Sequence, residues 1–276
     1  MLKLIAIDLD GTLLDSQKEL SQRNIDVIQE AAQKGHKIVI CTGRIQSGVE
    51  PYFDQLELKA EEEYAVLNNG CSLHTIREDW QLLSYHNLDF HDVQYLYSLL
   101  DGYPEIYLTL IADVDYLVLA DEVPDLVTYD ASLVFTEPKP VSLADVKTAD
   151  NPVFQAMYMG EPDVLDSFQA DFEAELAEKF SMVRSQSYLF EAMPQGITKA
   201  SGLKELAQKL DVEAKDIVAL GDAANDLEMM KAAGFSIAMG NAAEDVKKIA
   251  DAITSSNDEA GVAEAITKYV LQAAKD

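Results

Sequence analysis

Runs of apolar residues alternate with segments of helical periodicity in the first and last thirds of the chain. Residues 4–7 are all apolar and Asp8 follows them directly, a pattern that predicts a short strand buried on both faces. The segment 21–34 starts with Ser21, repeats apolar side chains at helical spacing and precedes Gly35, so it predicts a helix. The same reasoning predicts further strands at 37–41, 65–67, 217–220 and 235–239. It also predicts a helix that follows residue 44 and ends near 58, and helices that span about 198–210, 224–233, 243–250 and 260–272.

Buried strands that alternate with helices predict an α/β fold whose mainly parallel sheet is covered by helices on both faces. Right-handed crossovers bring the carboxyl ends of the parallel strands to one edge, where ligands of such sheets bind. Polar residues that directly follow these strands are therefore the candidates for a functional site. They fall in four segments, at 8–13, 42–44, 199 and 221–226.

The middle of the chain, about 84–188, has a different pattern, with longer strand-like segments. Two of them are separated by Asp113 and Asp115 and predict an antiparallel pair. This part is predicted to be an α+β insert carried on an α/β core that comprises 1–83 and 189–276. The predicted elements of the insert are strands at 107–111 and 116–120 and helices at about 89–101 and 163–179.

The strongly acidic composition limits the kinds of molecule that the protein is expected to bind. The chain has 21 Lys and Arg residues against 49 Asp and Glu residues, a formal net charge of −28. Such a field repels a phosphate backbone, so we expect no nucleic-acid partner. It also repels a small anionic substrate, so a phosphate site would need a divalent metal and a few well-placed cationic side chains. Most of the acidic residues are interpreted as solubilising surface.

Cysteine usage and the amino-terminal residues indicate an ordinary intracellular protein. Cys41 and Cys71 lie in apolar or strand-like surroundings without metal-ligand spacing, which predicts neither a disulfide framework nor a zinc site. The apolar start reaches Asp8 too soon for a secretory signal, and no apolar run is long enough to span a bilayer. We therefore expect a soluble cytoplasmic protein with no membrane partner, and the sequence lends no support to a homodimer.

The first candidate pair is Asp8 and Asp10, with Gly11 next to them. Two neighbouring carboxylates repel each other, so both remain ionised only beside a cation, and otherwise one takes up a proton. Asp8 is thus a candidate metal-bound nucleophile and Asp10 a candidate proton carrier. Taken alone, Asp-x-Asp-Gly is also the pattern of a common strand-ending turn, and the following Thr12-Leu13 makes the catalytic interpretation sharper.

The other three segments supply groups that suit a phosphate or a metal. Thr42 offers a hydroxyl and Gly43 an unobstructed amide at a predicted helix start, although Thr42 is also a plausible helix cap. Lys199 stands in the first turn of a helix, where a cation is mildly unfavourable unless it has a partner such as a phosphate, although exposed lysines are also frequent and spacing alone does not decide. Asp222, Asn225 and Asp226 follow a buried strand and carry oxygen donors, although Asp222 and Asn225 are also plausible helix caps.

Together these segments resemble the haloacid dehalogenase-like superfamily, and within it the Cof-type sugar-phosphate phosphatases. The resemblance covers both core portions and implies a Rossmann-like core with an inserted α+β cap of type II. One departure is Ala200, since the family usually has Gly after the motif lysine. The residues that carry the resemblance are Ile7-Asp8-Leu9-Asp10-Gly11-Thr12-Leu13-Leu14, Thr42-Gly43-Arg44, Asn69-Gly70, Lys199, Gly221-Asp222-x-x-Asn225-Asp226, Ala238-Met239-Gly240-Asn241-Ala242 and Gly261-Val262.

The resemblance implies a Mg²⁺-dependent phosphatase for small phosphorylated metabolites, sugar phosphates first. Asp8 would attack phosphorus and become an aspartyl-phosphate, and Asp10 would act as general acid and then base. The implied metal ligands are the Asp8 carboxylate, the Asp10 main-chain carbonyl and Asp222. The implied phosphate ligands are the Leu9 amide, Thr42, Gly43, Lys199 and Asn225, and the implied supporting residues are Arg44, Asn69 and Asp226.

Two alternatives share the same chemistry at Asp8. A phosphomutase or phosphotransferase would pass the phosphoryl group to a hydroxyl instead of water. A regulatory module would accept phosphate on Asp8 as a long-lived signal, but such receiver domains are shorter and need neither an insert nor Asp10. The substrate itself is left open, because it is read by the insert, to which the resemblance assigns no individual residues.

Overall fold

The computed structural model describes residues 3–58, 63–76 and 80–272, and within them the chain divides into two compact units. The predicted core also contained residues 1–2, 59–62, 77–79 and 273–276, which lie outside the described residues. The core unit is formed by the described parts of Met1–Gly43, Glu50–Ser84 and Thr198–Asp276, and the insert unit by Arg44–Val49 and Tyr85–Ile197.

The core unit contains an eight-stranded sheet in the order β14-β13-β12-β1-β2-β3-β4-β5. Neighbours from β14 through to β3 pair in parallel, and β4 pairs with β3 in the antiparallel direction. The mainly parallel α/β core predicted from the hydrophobic pattern is thereby confirmed. Its strands are β1 (Leu4–Ile7), β2 (Lys37–Cys41), β3 (Tyr64–Leu67), β4 (Ser72–Thr75), β5 (Gln81–Tyr85), β12 (Ile217–Gly221), β13 (Phe235–Ala238) and β14 (Ala252–Ile253).

The position of β1 in the middle of the sheet explains why its four residues are all apolar. It lies between β2 and β12, with Leu4 opposite both Lys37 and Ile217, and none of its four side chains is exposed. A strand covered on both faces has no solvent side for a polar residue. The core helices are α1 (Gln22–Gln33), α2 (Glu50–Leu56), α7 (Lys199–Lys209), α8 (Leu227–Ala232), α9 (Glu244–Ile249) and α10 (Gly261–Ile266).

The core helices are more broken than their periodicity predicts. A 3₁₀ turn, Ala224–Asp226, precedes α8, and a π-helical segment, Thr267–Leu271, continues α10. The predicted helix after 44 is a 3₁₀ turn, Gln46–Gly48, followed by α2. None of the described helices combines the length and the apolar character that crossing a lipid bilayer requires.

The insert unit is built on a separate six-stranded sheet in the order β10-β11-β9-β6-β7-β8. The predicted antiparallel pairing around Asp113 and Asp115 is confirmed, since Thr109 faces Val118 in β6 and β7. The strands are β6 (Tyr107–Ala112), β7 (Tyr116–Leu119), β8 (Lys139–Val141), β9 (Val153–Met159), β10 (Phe180–Gln186) and β11 (Leu189–Pro194). The helices are α3 (Phe90–Ser98), α4 (Asp125–Leu133), α5 (Leu143–Thr148) and α6 (Pro162–Leu176).

The end of the insert unit differs from the expected boundary at 188. Strand β11 pairs with both β9 and β10, so residues 189–194 form part of the insert sheet and the unit continues to Ile197. The backbone hydrogen bonds of β11 are made with two strands of the insert sheet. The apolar pattern of these residues does not reveal which sheet they join. The apolar cluster beneath this sheet includes Leu108, Tyr158, Phe168 and Phe190.

Candidate active site

Asp8 lies directly after β1, in the middle of the core sheet. Its amide continues the pairing with β12 by donating to the Leu220 carbonyl at 3.1 Å. Its side chain is buried, and Oδ1 accepts a hydrogen bond from Lys199 Nζ at 2.6 Å. Burial and the neighbouring Asp226 carboxylate raise the pKa of Asp8 well above its ordinary value, against the opposing effect of Lys199. Asp8 therefore needs additional positive charge to stay ionised.

Lys199 is the first residue of α7 and provides the cation inside this cluster. The helix starts with a capping box, in which the Thr198 and Ser201 side chains each accept the other's backbone amide. Lys199 is 1% exposed, and Nζ also donates to Asp226 Oδ1 at 2.8 Å. Burial acts to lower the pKa of Lys199, but the Asp226 and Asp8 carboxylates outweigh it and hold that pKa above its ordinary value. Ala200, where the family usually has Gly, leaves the helix start intact.

Asp226 is fully buried and holds the cluster together. Its Oδ2 accepts the backbone amides of Asp222 at 3.0 Å and Ala223 at 3.1 Å, while Oδ1 accepts Lys199. Gly221 permits this close packing, because a Cβ there would lie 2.5 Å from the Asp226 Cβ. Asp226 therefore orients both the motif lysine and the loop that carries Asp222.

The carboxylates of Asp8, Asp222 and Asp226 can offer one oxygen each within 4.8 Å of one another. Asp8 Oδ2 is buried and has no hydrogen-bond partner among the described residues. Burial and the nearby Asp226 raise the pKa of Asp222 to about 6. A hard divalent cation is the group that this set of oxygens fits. Since both oxygens of Asp226 are already engaged, Asp8 and Asp222 are the carboxylates available to it.

Thr42, Gly43, Asn69 and Asn225 are brought together beside this cluster. Thr42 follows β2 and is buried, and its carbonyl accepts a hydrogen bond from the backbone amide of Asn69 at 3.0 Å. Asn225 Nδ2 donates to Asn69 Oδ1 at 3.2 Å. A Cβ at Gly43 would lie 3.0 Å from the Asn69 amide group, so the loop at 43 and the Asn69 side chain are in close contact. Asn69 thereby links two of the predicted phosphate-binding segments.

The loop after β1 adds a residue to which the sequence analysis assigned no role of its own. Thr12 is buried, and its Oγ1 donates to Asp222 Oδ1 at 3.0 Å. Gly11 has a φ of +79°, and a Cβ at this position would collide with the Asp222 carboxylate. Leu9, whose amide is a predicted phosphate donor, is fully buried. The sequence predicted Thr12 only as part of the motif that contains Asp8 and Asp10. The pattern of residues does not reveal which carboxylate the Thr12 hydroxyl contacts.

Two predicted residues, Arg44 and Asp10, make hydrogen bonds with groups that do not belong to this cluster. Arg44 belongs to the insert unit, where Nη1 donates to the carbonyls of Gly48 at 3.0 Å and Leu133 at 3.2 Å. Asp10 is partly exposed, and its Oδ1 accepts a hydrogen bond from Lys18 Nζ at 2.6 Å. Asp10 is not among the three carboxylates whose oxygens lie within 4.8 Å of one another in the described part of the chain.

The geometry describes a class of hydrolase: a buried aspartate after the first strand, a buried lysine from a later helix and an acidic loop after β12. Comparison with known proteins agrees, since the haloacid dehalogenase-like hydrolase family matches residues 5–266. The chain belongs to this family, as its motifs indicate, and within it the chain is a phosphatase, a hydrolase of phosphoric monoesters.

Similar proteins match along almost the whole chain. Phosphatase YwpJ of Bacillus subtilis is 31% identical over 292 residues, covering 98% of this chain and 100% of its own. The 5-amino-6-(5-phospho-D-ribitylamino)uracil phosphatase YitU of the same organism is 30% identical over 271 residues, covering 96% and 97%. The crystal structure of a haloacid dehalogenase-like hydrolase from Bacteroides thetaiotaomicron superposes with a TM-score of 0.85 at 31% identity, covering 97% and 99%.

Proposed function

We propose that this phosphatase hydrolyses small phosphorylated metabolites, with sugar and polyol phosphates as the first candidates, through an aspartyl-phosphate on Asp8. The observation that carries the proposal is the asymmetry of the Asp8 carboxylate. One oxygen is held by the buried Lys199, and the other has no hydrogen-bond partner among the described residues. A buried oxygen in this state is costly unless a cation or a reacting group meets it.

In the first step an oxygen of Asp8 attacks phosphorus, and the bond from phosphorus to the ester oxygen breaks. Asp10 gives its proton to the departing alkoxide, which leaves as the alcohol. Water then attacks the aspartyl-phosphate, Asp10 takes a proton from it, and the bond from phosphorus to Asp8 breaks. Lys199 stabilises the charge that develops at the phosphoryl oxygens, since it is already buried and needs no reorientation.

Phosphate binding is assigned to the groups around Asn69. The Leu9 amide, the Thr42 hydroxyl, the Gly43 amide and the Asn225 amide group would donate to the phosphoryl oxygens. Asn69 supports this arrangement through its contacts with both the 42–43 loop and Asn225. A net charge of −28 makes such local donors necessary, because the surrounding field opposes binding of an anion.

Mg²⁺ is the cofactor that we assign to the acidic cluster. Asp8, Asp222 and the main-chain carbonyl of Asp10 would hold it, and Thr12 would orient the Asp222 carboxylate through the 3.0 Å hydrogen bond. When bound, the ion would supply Lewis-acid stabilisation of the phosphoryl group and let Asp8 remain ionised. Asp226 would stay outside the coordination sphere, because Lys199 and two backbone amides already use its oxygens.

The substrate class is supported by the chemistry named in the relatives. YitU is named for an ester of a ribityl chain, a linear polyol. Such an ester has a poorly acidic leaving alcohol, which is the case where a proton donor such as Asp10 contributes most. We therefore place phosphorylated sugars and polyols ahead of aryl phosphates as substrates.

The decisive experiment measures phosphate release from a panel of sugar and polyol phosphates with Mg²⁺ and with EDTA. The wild-type protein should release phosphate only with Mg²⁺, and Asp8→Asn should lower the rate by at least about 10⁴-fold, since no nucleophile remains. Asp26→Asn, an exposed substitution on α1, is the matched control and should retain full activity. Full activity of Asp8→Asn would contradict the proposal.

A further inference from the structure

The ion pair between Lys18 and Asp10 is set in a turn with unusual backbone geometry. Lys18 has a φ of +63°, a left-handed conformation that residues with a Cβ rarely adopt. The Asp15 carboxylate holds the turn by accepting the amides of Gln17 and Glu19, each at 2.9 Å, and the Asp15 carbonyl accepts the Lys18 amide at 3.0 Å. This backbone directs the Lys18 side chain to Asp10 rather than into solvent.

The same turn is anchored to the carboxyl-terminal part of the core unit. Asn257 Nδ2 donates to the Leu14 carbonyl at 2.9 Å, and the Ser16 amide donates to Asp258 Oδ1 at 2.8 Å. The turn is therefore held at residues 14 and 16, on its amino-terminal side. A charged side chain on such a support keeps its position better than one on a free loop.

We propose that Lys18 is a positioning residue for the proton transfer of Asp10, an inference that rests on the proposed function. Lys18 Nζ donates to Asp10 Oδ1 at 2.6 Å and so restricts the rotation of the carboxyl group. The carboxyl group held in this way gives its proton to the departing alkoxide and later takes one from the attacking water. The 43% exposure of the Lys18 side chain leaves it little role in packing.

This role predicts a dependence on the leaving group. An alkyl phosphate needs its departing oxygen protonated, whereas 4-nitrophenolate leaves without a proton. The ratio kcat/KM reports the steps up to transfer to Asp8, in which Asp10 acts as the acid. A mispositioned Asp10 should therefore slow the alkyl ester and spare the aryl ester, whereas a purely structural defect would slow both.

The experiment compares wild type, Lys18→Met and Lys18→Arg with Mg²⁺ on a polyol phosphate and on 4-nitrophenyl phosphate. Lys18→Met should lower kcat/KM about tenfold for the polyol phosphate and less than about twofold for the aryl ester. Lys18→Arg should recover at least about half of the loss, since it restores the ion pair. Lys34→Met is the matched control, because Lys34 forms an exposed ion pair with Glu30, also at 2.6 Å, on α1 away from Asp10.

The controls separate the two levels of the proposal. If wild type shows no Asp8-dependent hydrolysis of either ester, the proposed function fails and this inference fails with it. If wild type is active but Lys18→Met matches Lys34→Met, or slows both esters equally, only the inference fails. Thermal unfolding of each variant, with midpoints within about 2 °C of wild type, shows that the compared proteins are equally folded.

Discussion

At the scale of single residues, Lys199 is the cation that pairs with both Asp8 and Asp226. It is buried together with Asp8 and Asp226, with Asp222 close by, so one ammonium group faces three carboxylates. A buried charge without a partner is strongly destabilising, whereas the same charge in a complete pair is tolerated. The folded site therefore depends on Lys199, to which we also assign a role in the proposed chemistry.

Replacing Lys199 with Met should lower the free energy of unfolding by about 3 kcal/mol in EDTA at neutral pH, because Asp8 and Asp226 lose their shared cation. Urea unfolding measures the change. The double variant Lys199→Met/Asp8→Asn should recover at least about 1 kcal/mol, since one buried charge is removed as well. A single variant as stable as wild type would contradict this view of the cluster.

Much of the site is readable from the sequence at this scale, because strand ends concentrate polar residues at one edge. Asp8 and Asp222 follow that rule, and the structure brings them together. Lys199 was also expected after a core strand, but the strand that precedes it, β11, belongs to the insert sheet, and Lys199 reaches Asp8 from the start of α7. Thr12 and Lys18 do not stand out, since a single polar residue in a loop has no periodicity. Their contacts depend on backbone angles in the 11–18 loop, which a hydrophobic pattern does not encode.

At the scale of elements, helix α7 positions Lys199 by packing closely against the 68–70 turn. Gly202 lies in the helix interior, where a Cβ would meet the Val66 side chain at 2.6 Å and the Gly70 Cα at 3.0 Å. Gly70 in turn has a φ of +99°, and a Cβ there would meet the Thr198 carbonyl. The helix start and the Asn69 turn are thus held in one position relative to each other.

The substitution Gly202→Ala tests this contact, because helix propensity and packing change the free energy of unfolding in opposite directions. Helix propensity alone would favour Ala by about 1 kcal/mol. We expect instead a loss of about 1–3 kcal/mol, because the added methyl group overpacks the contact with Gly70. Chemical unfolding gives the sign, and Lys204→Ala, exposed on the same helix, should change stability by less than about 0.5 kcal/mol. A stabilised Gly202→Ala would show that the two elements are not tightly packed.

The elements themselves were predictable to different degrees. Core strands such as β1 and β2 are continuous apolar runs, and their predicted and observed positions coincide. Residues 189–194, which form strand β11, were placed in the core by the expected boundary at 188, and no strand was predicted there. The strand pairs with β9 and β10, and that pairing comes from long-range contacts that leave no local signal.

At the scale of the whole molecule, the net charge of −28 opposes the approach of a phosphorylated substrate. Lys199 and the donors around Asn69 act only at short range. Association should therefore be slowest at low ionic strength, where the Debye length is about 30 Å, and faster at physiological ionic strength, where it is about 8 Å.

We expect kcat/KM for a dianionic sugar phosphate to rise about two- to fivefold as ionic strength increases from about 0.01 to 0.15 M at saturating Mg²⁺. Steady-state kinetics in KCl measures the rise. Phosphoethanolamine, whose ammonium group offsets part of its charge, should show a smaller rise if it is turned over. A fall in kcat/KM for the dianionic substrate would mean that local cationic groups dominate the approach.

The order of the strands in the core sheet means that parts of one site are synthesised at different times. β1 lies beside β12, and Asp8 meets Lys199 across 191 positions of sequence. A ribosome therefore exposes Asp8, the proposed nucleophile, before the insert and exposes Lys199 only after it. A nascent chain, or a fragment that ends before 198, carries Asp8 without its partners. We therefore expect the site to assemble only after residues 199–222 have been synthesised, when β1 gains β12 as its second neighbour.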